Sequence, residues 1–472
     1  MLEAGREDFE EGALDRINPE LTLDEQAELL PYDRRWEFPR ERLKLGKQLG
    51  SGAFGVVIKA EALGISNNET VTTVAVKMPR KTSKVTYIHA LKRELKIMGH
   101  LGKHLNVVNL LGACTKNIAE HELLVIVEYC RFGNLQSYLL RHRQNFLNQV
   151  DLFTGEINPR IGKIPKKLNY APLEFPNSVP SYDSTIDSAN TRDSSSSVES
   201  YRTLGSDNSQ PGWRSNYEGD YQAFSFTTIS TQDLIIWAFQ VARGMNYLSR
   251  RNVLHADLAA RNILLAENNV IKICDFGLAK SVYKDGIYKM KTRTDVPFKW
   301  MAVESIRDEV FSTKSDVWSF GVVLWEFFSL AETPYSGMGF EKLYPKILQG
   351  YRMKKPIYAT KSIYDMMLRC WEEEPTRRPT FQELVDRIGE FVDNGIKVHY
   401  TELDVVYEAM NRDVLDGQYD YLAMMSSPDY VATPHPPPQQ DTTDDSCHDN
   451  AAYVTDTDDS SLSTVDQRAE KN

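Results

Sequence analysis

Two short segments of this sequence carry side chains that could transfer a phosphoryl group. Residues 255–262 read HADLAARN, and residues 275–277 read DFG. Phosphoryl transfer needs a carboxylate that orients the incoming hydroxyl, and Asp257 can supply it. It also needs oxygen ligands for a Mg²⁺ ion that bridges the phosphates, and Asn262 and Asp275 can supply these. The two segments therefore predict a site that uses a nucleoside triphosphate and magnesium.

A glycine-rich segment nearer the start of the chain is a candidate cover for the phosphates. Residues 50–57 read GSGAFGVV, with glycines at Gly50, Gly52 and Gly55. Without side chains, their backbone N–H groups can approach phosphate oxygens closely, although glycines also form ordinary hairpin turns. A dinucleotide-binding turn would open a helix at once, whereas residues 56–58 read VVI and continue as a strand. This context favours a β-hairpin over the triphosphate.

A lysine follows a short apolar strand, and an acid lies on the next predicted helix. Residues 74–76 read VAV and precede Lys77, while Glu94 falls in the helical stretch 87–98. A lysine in an apolar strand is costly unless it is paired, so a bridge from Lys77 to Glu94 and a phosphate would explain its place. An edge lysine whose amine reaches solvent is the alternative, and these residues alone leave both open.

The elements that must position these groups fall into two parts. Residues 43–145 alternate β-branched runs with one helical stretch, which predicts a small sheet that carries a helix. Helical spacing returns at Leu234 with LIIWAFQVARGMNYL and predicts a mostly helical part up to residue 394. Between them, residues 178–215 contain 12 serines and only four residues of the types Ile, Leu, Val and Phe. Such a segment buries too little surface to order itself, so we expect a long disordered insert.

Residues 255–262 and 275–277, which follow the glycine segment and Lys77 along the chain, resemble the catalytic and Asp-Phe-Gly loops of protein kinases. The segment DLAARN resembles tyrosine kinases, because serine/threonine kinases usually have a lysine where this chain has Ala259. The segments PYD (31–33), WEFP (36–39) and NLLGACT (109–115), with the long insert, are similar to the split-kinase receptors for platelet-derived and vascular endothelial growth factors. The segments RLKLGK (42–47) and VIVE (125–128) favour the vascular receptors. The resemblance implies an α+β, two-lobed protein kinase fold with a small β-rich N-lobe and a larger helical C-lobe.

The resemblance also implies a role for each matching residue. Asp257 would be the catalytic base, and Arg261 would position the substrate tyrosine. Lys77, paired with Glu94, would hold the α- and β-phosphates of ATP. Asn262 and Asp275 would bind Mg²⁺, or Mn²⁺ in its place. The remaining ATP-binding candidates are the glycines of the loop (Gly50, Gly52, Gly55), four residues around the adenine (Leu49, Val57, Ala75, Leu264) and two hinge residues (Glu128, Cys130).

The same resemblance divides the chain and suggests partners. The expected parts are a juxtamembrane-like segment (1–42) that packs against the lobes and restrains them, the N-lobe and hinge (43–145), a largely disordered insert (146–230), the C-lobe (231–394) and an acidic disordered tail with docking tyrosines (395–472). Candidate phosphorylation sites are Tyr32, Tyr283, Tyr288, Tyr421, Tyr430 and Tyr453. The segment YLAM (421–424) resembles the target of the phosphoinositide 3-kinase regulatory subunit. That subunit, other phosphotyrosine-binding adaptors, tyrosine substrates and a second copy acting in trans as a dimer are the expected partners.

Two positions depart from the kinase pattern. The arginine between histidine and aspartate is Ala256 here, and the Ala-Pro-Glu motif reads AVE at residues 302–304. The missing arginine normally grips a phosphorylated activation loop and does no chemistry, and Glu304 can still pair with Arg378. We therefore expect altered regulation and retained activity. The alternative is a catalytically weak pseudokinase that serves as a docking scaffold and is phosphorylated by a partner kinase.

Composition and charge exclude several other classes. The chain has 472 residues, of which 41% are hydrophobic, enough for a large buried core. Residues 1–30 carry a net charge of −8 and residues 401–472 a net charge of −13, against −11 for the whole chain, so the middle carries +10. No basic stripe with interleaved aromatic residues accompanies this positive charge, so we expect no nucleic-acid binding.

No apolar run approaches the ~18 residues that a membrane span needs, and the first residues lack a signal-peptide or myristoylation pattern. The 5 cysteines lie too far apart for a zinc site or a disulfide framework, which indicates a reducing compartment. As given, the chain is expected to be soluble and cytosolic. As part of a full receptor it would lie at the cytoplasmic face of the plasma membrane. The sequence would then be a fragment, a natural truncation or an incomplete gene model.

Overall fold

The structure is a computed structural model. It describes residues 9–13, 16–18, 26–51, 55–66, 70–80, 85–118, 122–151, 153–162, 228–276 and 297–415. All of these residues belong to one unit of the chain, Met1–Tyr430.

An antiparallel sheet with strand order β1-β2-β3-β5-β4 forms the first lobe. Its strands are β1 Leu43–Ser51, β2 Val56–Leu63, β3 Val71–Met78, β4 Leu110–Cys114 and β5 Leu124–Glu128. Strand β3 lies in the centre, so its apolar run from Val74 to Val76 is fully buried. Lys77 follows that run and pairs across the sheet with Val57 and Val125. One helix, α1 Val85–Leu101, accompanies the sheet.

Helices form most of the second lobe. They are α2 Leu135–His142, α3 Thr231–Arg250, α4 Val303–Arg307, α5 Thr313–Phe328, α6 Phe340–Leu348, α7 Lys361–Cys370, α8 Phe381–Gly389 and α9 Asn394–Leu415. Short 3-10 turns lie at Ala27–Leu29, Arg34–Trp36, Arg40–Arg42, Arg143–Asn145, Ala260–Asn262, Glu267–Asn269 and Pro375–Arg377. A two-stranded antiparallel sheet, β6 Ile263–Leu265 with β7 Ile271–Ile273, carries the segment between the two catalytic motifs. The α+β, two-lobed fold expected from the sequence is therefore confirmed.

The sequence explains where the long C-lobe helices begin and why they are buried. Ser230 and Asp233 form a reciprocal capping box at the start of α3, and Thr380 and Glu383 do the same for α8. Helix α3 then buries most of its side chains, including Trp237, which contacts Phe327 of α5 edge to face at 6.4 Å between ring centroids. These two helices form the centre of the lobe beneath the catalytic segment.

The two ends of the expected insert pair with each other, and its middle lies outside the described residues. Leu147 bridges to Ser230 in parallel, and Val150 bridges to Ile157. Residues 146–162 thus form turns that return to the start of α3. Residues 163–227 are not described.

The expectation of a disordered tail from residue 395 is wrong for its first part, because Asn394–Leu415 is helix α9. Four side chains explain the helix. Ile396, Tyr400, Leu403 and Tyr407 recur at helical spacing and pack in one apolar cluster. The acidic composition of the whole tail concealed this stripe. Residues 416–472, with Tyr421, Tyr430 and Tyr453, lie outside the described residues.

The segment before β1 packs on the outer face of α1, as the resemblance implied. Phe9 stacks on Tyr32 with ring centroids 5.1 Å apart, and the ammonium of Lys96 lies 5.0 Å from the Phe9 ring. Lys96 also donates to the Glu28 carbonyl at 2.9 Å, while Arg93 pairs with the Glu28 carboxylate. A cation–π contact and charged groups therefore tie this segment to the helix that carries Glu94.

Within the described part of the chain, none of the helices combines the length and the apolar character that a membrane crossing requires.

Candidate active site

Three elements bring an ion-pair cluster together between the lobes. Lys77 comes from β3, Glu94 from α1, and Asp275 follows β7. The Lys77 ammonium donates to Asp275 Oδ1 at 2.5 Å and to a carboxylate oxygen of Glu94. Burial alone would lower the pKa of Lys77, but the charges of Asp275 and Glu94 outweigh it and raise that pKa above its ordinary value. The lysine is therefore a paired, charged group, and the solvent-reaching alternative is wrong.

The catalytic segment is held by a carboxylate from the helix beneath it. Backbone N–H groups of His255 and Ala256 donate to the two oxygens of Asp316 on α5, at 2.9 and 2.8 Å. Ala256 adopts a φ of 59°, a left-handed conformation that costs free energy in a non-glycine residue, so these two bonds help to hold the strained turn. His255 has 0% exposure, which is typical of a packed structural histidine.

The Asp257 carboxylate is fixed by two side chains from its own segment. Arg261 donates to Oδ1 at 2.7 Å, and the Asn262 amide donates to Oδ2 at 2.8 Å. Arg261 in turn lies 4.3 Å from the centre of the Trp300 ring, which restricts the guanidinium to one plane. Asp257 is thus oriented before any substrate arrives, as a base that must meet a hydroxyl requires.

The oxygen atoms that could hold a metal lie in the same place. Because the Asn262 nitrogen donates to both the side chain and the backbone oxygen of Asp257, its Oδ1 faces away. This buried oxygen has no hydrogen-bond partner among the described residues. A buried unpaired acceptor is unfavourable, and a hard cation such as Mg²⁺ would satisfy it. Asp275 offers a carboxylate as the second protein ligand, so the residues present fit Mg²⁺.

A magnesium site of this kind does not need a cluster of protein ligands. In the part of the chain that the structure describes, no group of three or more His, Cys, Asp and Glu residues could hold a metal ion. Phosphate oxygens supply the remaining ligands in phosphoryl-transfer sites, so one amide and one carboxylate are a sufficient protein contribution.

The apolar adenine candidates are all buried. Leu49, Val57, Ala75, Cys130 and Leu264 belong to the large hydrophobic core cluster that extends through both lobes. The Glu128 carboxylate accepts from the Lys272 ammonium at 2.9 Å and from the Asn109 amide at 2.9 Å. The side chain of Glu128 is therefore engaged behind the hinge.

The glycine segment is described in part. Gly50 pairs with Val57 in the hairpin, and Gly52 lies outside the described residues. A Cβ on Gly55 would lie 2.1 Å from the carbonyl oxygen of Met78, so no other residue fits there. The turn between β1 and β2 thus requires glycine at position 55 for strand packing as well as for any approach to phosphate.

Sequence reasoning missed two buried acids that support the catalytic segment, Asp316, described above, and Glu326. Glu326 of α5 has 0% exposure and accepts from the Ala260 backbone at 2.9 Å and from the Trp300 indole at 3.0 Å. Burial raises the pKa of Glu326 to about 7, although these bonds and the nearby Arg261 oppose the shift. It supports the catalytic segment from below. A single acid within the apolar run VVLWEFF (322–328) was the signal that could have found it.

Two other sequence candidates have definite outcomes, and two lie outside the described residues. Arg378 makes a two-pronged pair with Glu304 at 2.6 and 2.8 Å, as expected. Tyr32 is only 6% exposed, and its hydroxyl donates to Glu37. Tyr283 and Tyr288 lie outside the described residues, within 277–296.

A lysine–glutamate pair beneath a glycine hairpin, together with a preoriented aspartate and two oxygen atoms that could hold a metal, is typical of a protein kinase catalytic domain. The sequence comparison agrees, because the family "protein tyrosine and serine/threonine kinase" matches residues 43–388. The chain belongs to this family.

Within the family, the chain is similar to growth factor receptors, as its motifs indicated. It is 48% identical over 382 residues to vascular endothelial growth factor receptor 1 of Rattus norvegicus and 47% identical over 380 residues to that of Homo sapiens, in each case across 80% of this chain and 27% of the relative. It is 43% identical over 395 residues to platelet-derived growth factor receptor alpha of Takifugu rubripes, across 79% of this chain and 36% of the relative. The chain thus spans about a quarter to a third of the length of these relatives.

Proposed function

We propose that this chain transfers the γ-phosphoryl group of ATP to protein tyrosines, its own included, as the cytoplasmic part of a growth factor receptor. The observation that carries the proposal is the buried Asp257 carboxylate, oriented by Arg261 and Asn262 and placed in one cleft with the Lys77–Asp275 pair. The similarity to growth factor receptors supports the choice of tyrosine.

The chain's own groups account for the required steps. Asp257 accepts a hydrogen bond from the tyrosine hydroxyl and takes its proton as the tyrosine oxygen bonds to the γ-phosphorus. The bond from that phosphorus to the oxygen that bridges it to the β-phosphate breaks, and ADP leaves. Lys77, held by Glu94, contacts the phosphate oxygens and neutralises part of their charge. Arg261, whose guanidinium lies 4.3 Å from the centre of the Trp300 ring, limits the orientations open to the incoming ring. Bound Mg²⁺, at Asn262 and Asp275, supplies further neutralisation of the phosphates.

The pseudokinase alternative gains no support from the described residues. Lys77, Glu94, Asp257, Asn262 and Asp275 are all present and in mutual reach. Ala256 contributes its backbone N–H to Asp316, a bond that any residue at this position would make. The substitution therefore leaves the transfer chemistry untouched, and altered regulation stays a prediction.

Turnover of the purified full chain tests the proposal directly. With ATP, Mg²⁺ and a tyrosine peptide, we expect phosphotyrosine to accumulate, and a chelator should stop it. Lys77→Met should lower kcat by about a hundredfold or more, because it removes a preorganised cation from the phosphates. Lys361→Met is the matched control, since Lys361 is an exposed lysine on α7. An inactive wild-type chain would support the scaffold alternative.

Tyr32 should be a slow phosphorylation site in the folded chain. Its ring is buried against Phe9, so a kinase can reach it only when the segment opens. Mass spectrometry should show Tyr32 modified about tenfold or more slowly in the chain than in a free peptide 26–40. Phe9→Ala should bring the rate in the chain closer to the rate in the free peptide, because it removes the ring that stacks on Tyr32. Equal rates in the chain and the free peptide would contradict this expectation. That the segment restrains the lobes stays a prediction.

We further propose that the tail recruits phosphotyrosine-binding adaptors, with Tyr421 as the site for the phosphoinositide 3-kinase regulatory subunit. The segment YLAM places Met424 three residues after Tyr421. In such recognition an arginine takes the phosphate through two hydrogen bonds, and an apolar pocket takes the later side chain. Tyr430 and Tyr453 are the other docking candidates.

A phosphopeptide spanning residues 416–428 should bind that subunit with about −8 kcal/mol, in the micromolar range. Met424→Ala should weaken binding severalfold, since the apolar pocket loses its occupant. Met425→Ala is the control, because this methionine lies one position outside the motif. If the two peptides bind equally, the pocket does not read Met424.

The cytoplasmic face of the plasma membrane is the proposed location, because the curated relatives are growth factor receptors. A second copy of the chain would then be the first substrate, with each catalytic domain acting on the tyrosines of the other. Dilution tests this: initial autophosphorylation should follow the square of the chain concentration if it occurs in trans.

A further inference from the structure

Glu326 of α5 uses one of its two carboxylate oxygens to hold the catalytic segment and the Trp300 indole. Its Oε2 accepts from the Ala260 N–H at 2.9 Å and from Trp300 Nε1 at 3.0 Å. Its Oε1 is buried and has no hydrogen-bond partner among the described residues. A buried charge is costly, and the amide oxygen of a glutamine could accept both bonds. These two bonds therefore do not explain why an acid stands at this position.

The Arg261 guanidinium above it is buried and partly satisfied. Arg261 is 3% exposed, and its Nη2 donates to Asp257 Oδ1 at 2.7 Å. Its Nε and Nη1 find no hydrogen-bond partner within the part of the chain that the structure describes. The Trp300 ring, centred 4.3 Å from the guanidinium carbon, provides its second contact. One carboxylate and one aromatic ring thus hold a cation that has five N–H donors.

Phosphoryl transfer changes the charge that holds this guanidinium. When Asp257 takes the proton of the tyrosine hydroxyl, its carboxylate becomes a neutral acid, and its attraction for Arg261 falls. Glu326 is a second carboxylate that attracts the guanidinium, because the charge of Arg261 lowers the pKa of Glu326. Glu326 also fixes the Trp300 ring through the indole N–H. The second counter-charge and the ring contact therefore both depend on Glu326.

We propose that Glu326 keeps Arg261 in place over Trp300 while Asp257 is protonated, through its negative charge and through its bond to the indole. Glu326 is a positioning residue in this inference, which rests on the proposed phosphoryl transfer. Its contribution is needed as the proton moves, so it belongs to the transition state. Its loss should then lower kcat and kcat/KM for the peptide together and leave KM unchanged.

The test uses Glu326→Gln in the full chain. It should lower kcat and kcat/KM for a tyrosine peptide about tenfold, with little change in KM for the peptide or for ATP. Because the amide oxygen keeps both hydrogen bonds and no charge is buried, the variant should resist urea at least as well as the wild type. Glu390→Gln, at an exposed position after α8, is the matched control and should keep wild-type kinetics.

Trp300→Phe separates the charge from the bond to the indole. It removes the N–H that Glu326 accepts from and keeps an aromatic ring in the position beside Arg261. We expect kcat to fall severalfold. Glu326→Gln should then lower kcat by a smaller factor in the Trp300→Phe background than in the wild type, because the indole bond is already absent.

The pH dependence of these rates distinguishes a positioning charge from a structural contact. Burial raises the pKa of Glu326 to about 7, and the charged groups that act on it are Arg261, which opposes the shift, and Asp257, which adds to it. Its other contacts, the Ala260 backbone and the Trp300 indole, are uncharged. The ratio of wild-type to Glu326→Gln kcat should fall towards one between about pH 8 and about pH 6, because protonation removes the charge that the variant lacks.

Two results would overturn the inference. One is wild-type kcat per folded molecule in Glu326→Gln. The other is a loss of kcat that is the same across this pH range and accompanies a lower resistance to urea, which would make Glu326 merely structural. A wild-type chain without phosphotransfer would instead refute the proposed function, and the inference with it.

Discussion

Asp257→Asn should lower kcat for tyrosine phosphorylation by about 10³-fold, within the range attributed to a positioned general base. The amide is similar in shape to the carboxylate and can still accept from Arg261, so the fold should be kept, but its nitrogen cannot accept from Asn262 and one of the two orienting bonds is lost. The amide also loses the capacity to take the proton from the tyrosine hydroxyl. Peptide phosphorylation at saturating ATP measures the effect.

The controls separate lost chemistry from lost structure. The variant should bind an ATP analogue with nearly wild-type affinity, since Asp257 lies on the substrate side of the phosphates. Asp386→Asn, at an exposed position of α8, should leave kcat unchanged. Wild-type turnover by Asp257→Asn would show that the assigned base, and with it the mechanism, is wrong.

Arg378→Ala should destabilise the C-lobe by about 3–5 kcal/mol, the usual cost when one partner of a buried ion pair is removed. Arg378 is 2% exposed, and its guanidinium bonds both oxygens of Glu304. It also donates to the carbonyls of Glu372 and Lys314 at 2.8 and 2.9 Å. Truncation leaves a buried carboxylate and carbonyl oxygens without their donor. Urea unfolding followed by tryptophan fluorescence measures the loss.

The matched control is a solvent-exposed ion pair of the same lobe. Lys361 and Asp365 are paired at 2.7 Å on α7 with 84% and 51% of their side chains exposed. Lys361→Ala should cost no more than about 0.5 kcal/mol, because solvent screens the pair. Arg378→Lys should fall between the two, since an ammonium keeps the charge but cannot form the two-pronged contact. A loss below about 1 kcal/mol for Arg378→Ala would contradict the expectation.

The local sequence pattern was sufficient to predict much of the chemistry and several elements of this protein. The types and order of residues 255–262 and 275–277, with the apolar run before Lys77, predicted phosphoryl-transfer chemistry, and the kinase resemblance that these motifs carry implied the two-lobed fold. The alternation of apolar residues placed β3 and the start of α3 nearly correctly, because backbone hydrogen bonding and burial act over a few neighbouring residues. The pairing of Glu304 with Arg378 also followed from the resemblance.

Tertiary structure decided what depends on distant residues meeting. Lys77 and Asp275 are 198 positions apart, and their contact exists only because the two lobes close on one cleft. Glu326 could not be assigned from the sequence, since its partners Ala260 and Trp300 reach it from separate segments. Helix α9 was missed because its sparse apolar stripe gains stability only from the cluster around Leu105, and Asn411 finds Lys103 across 308 positions. The composition of a segment does not show such a stripe, because it counts all residues together. The stability gained by packing depends on which face of the helix is buried.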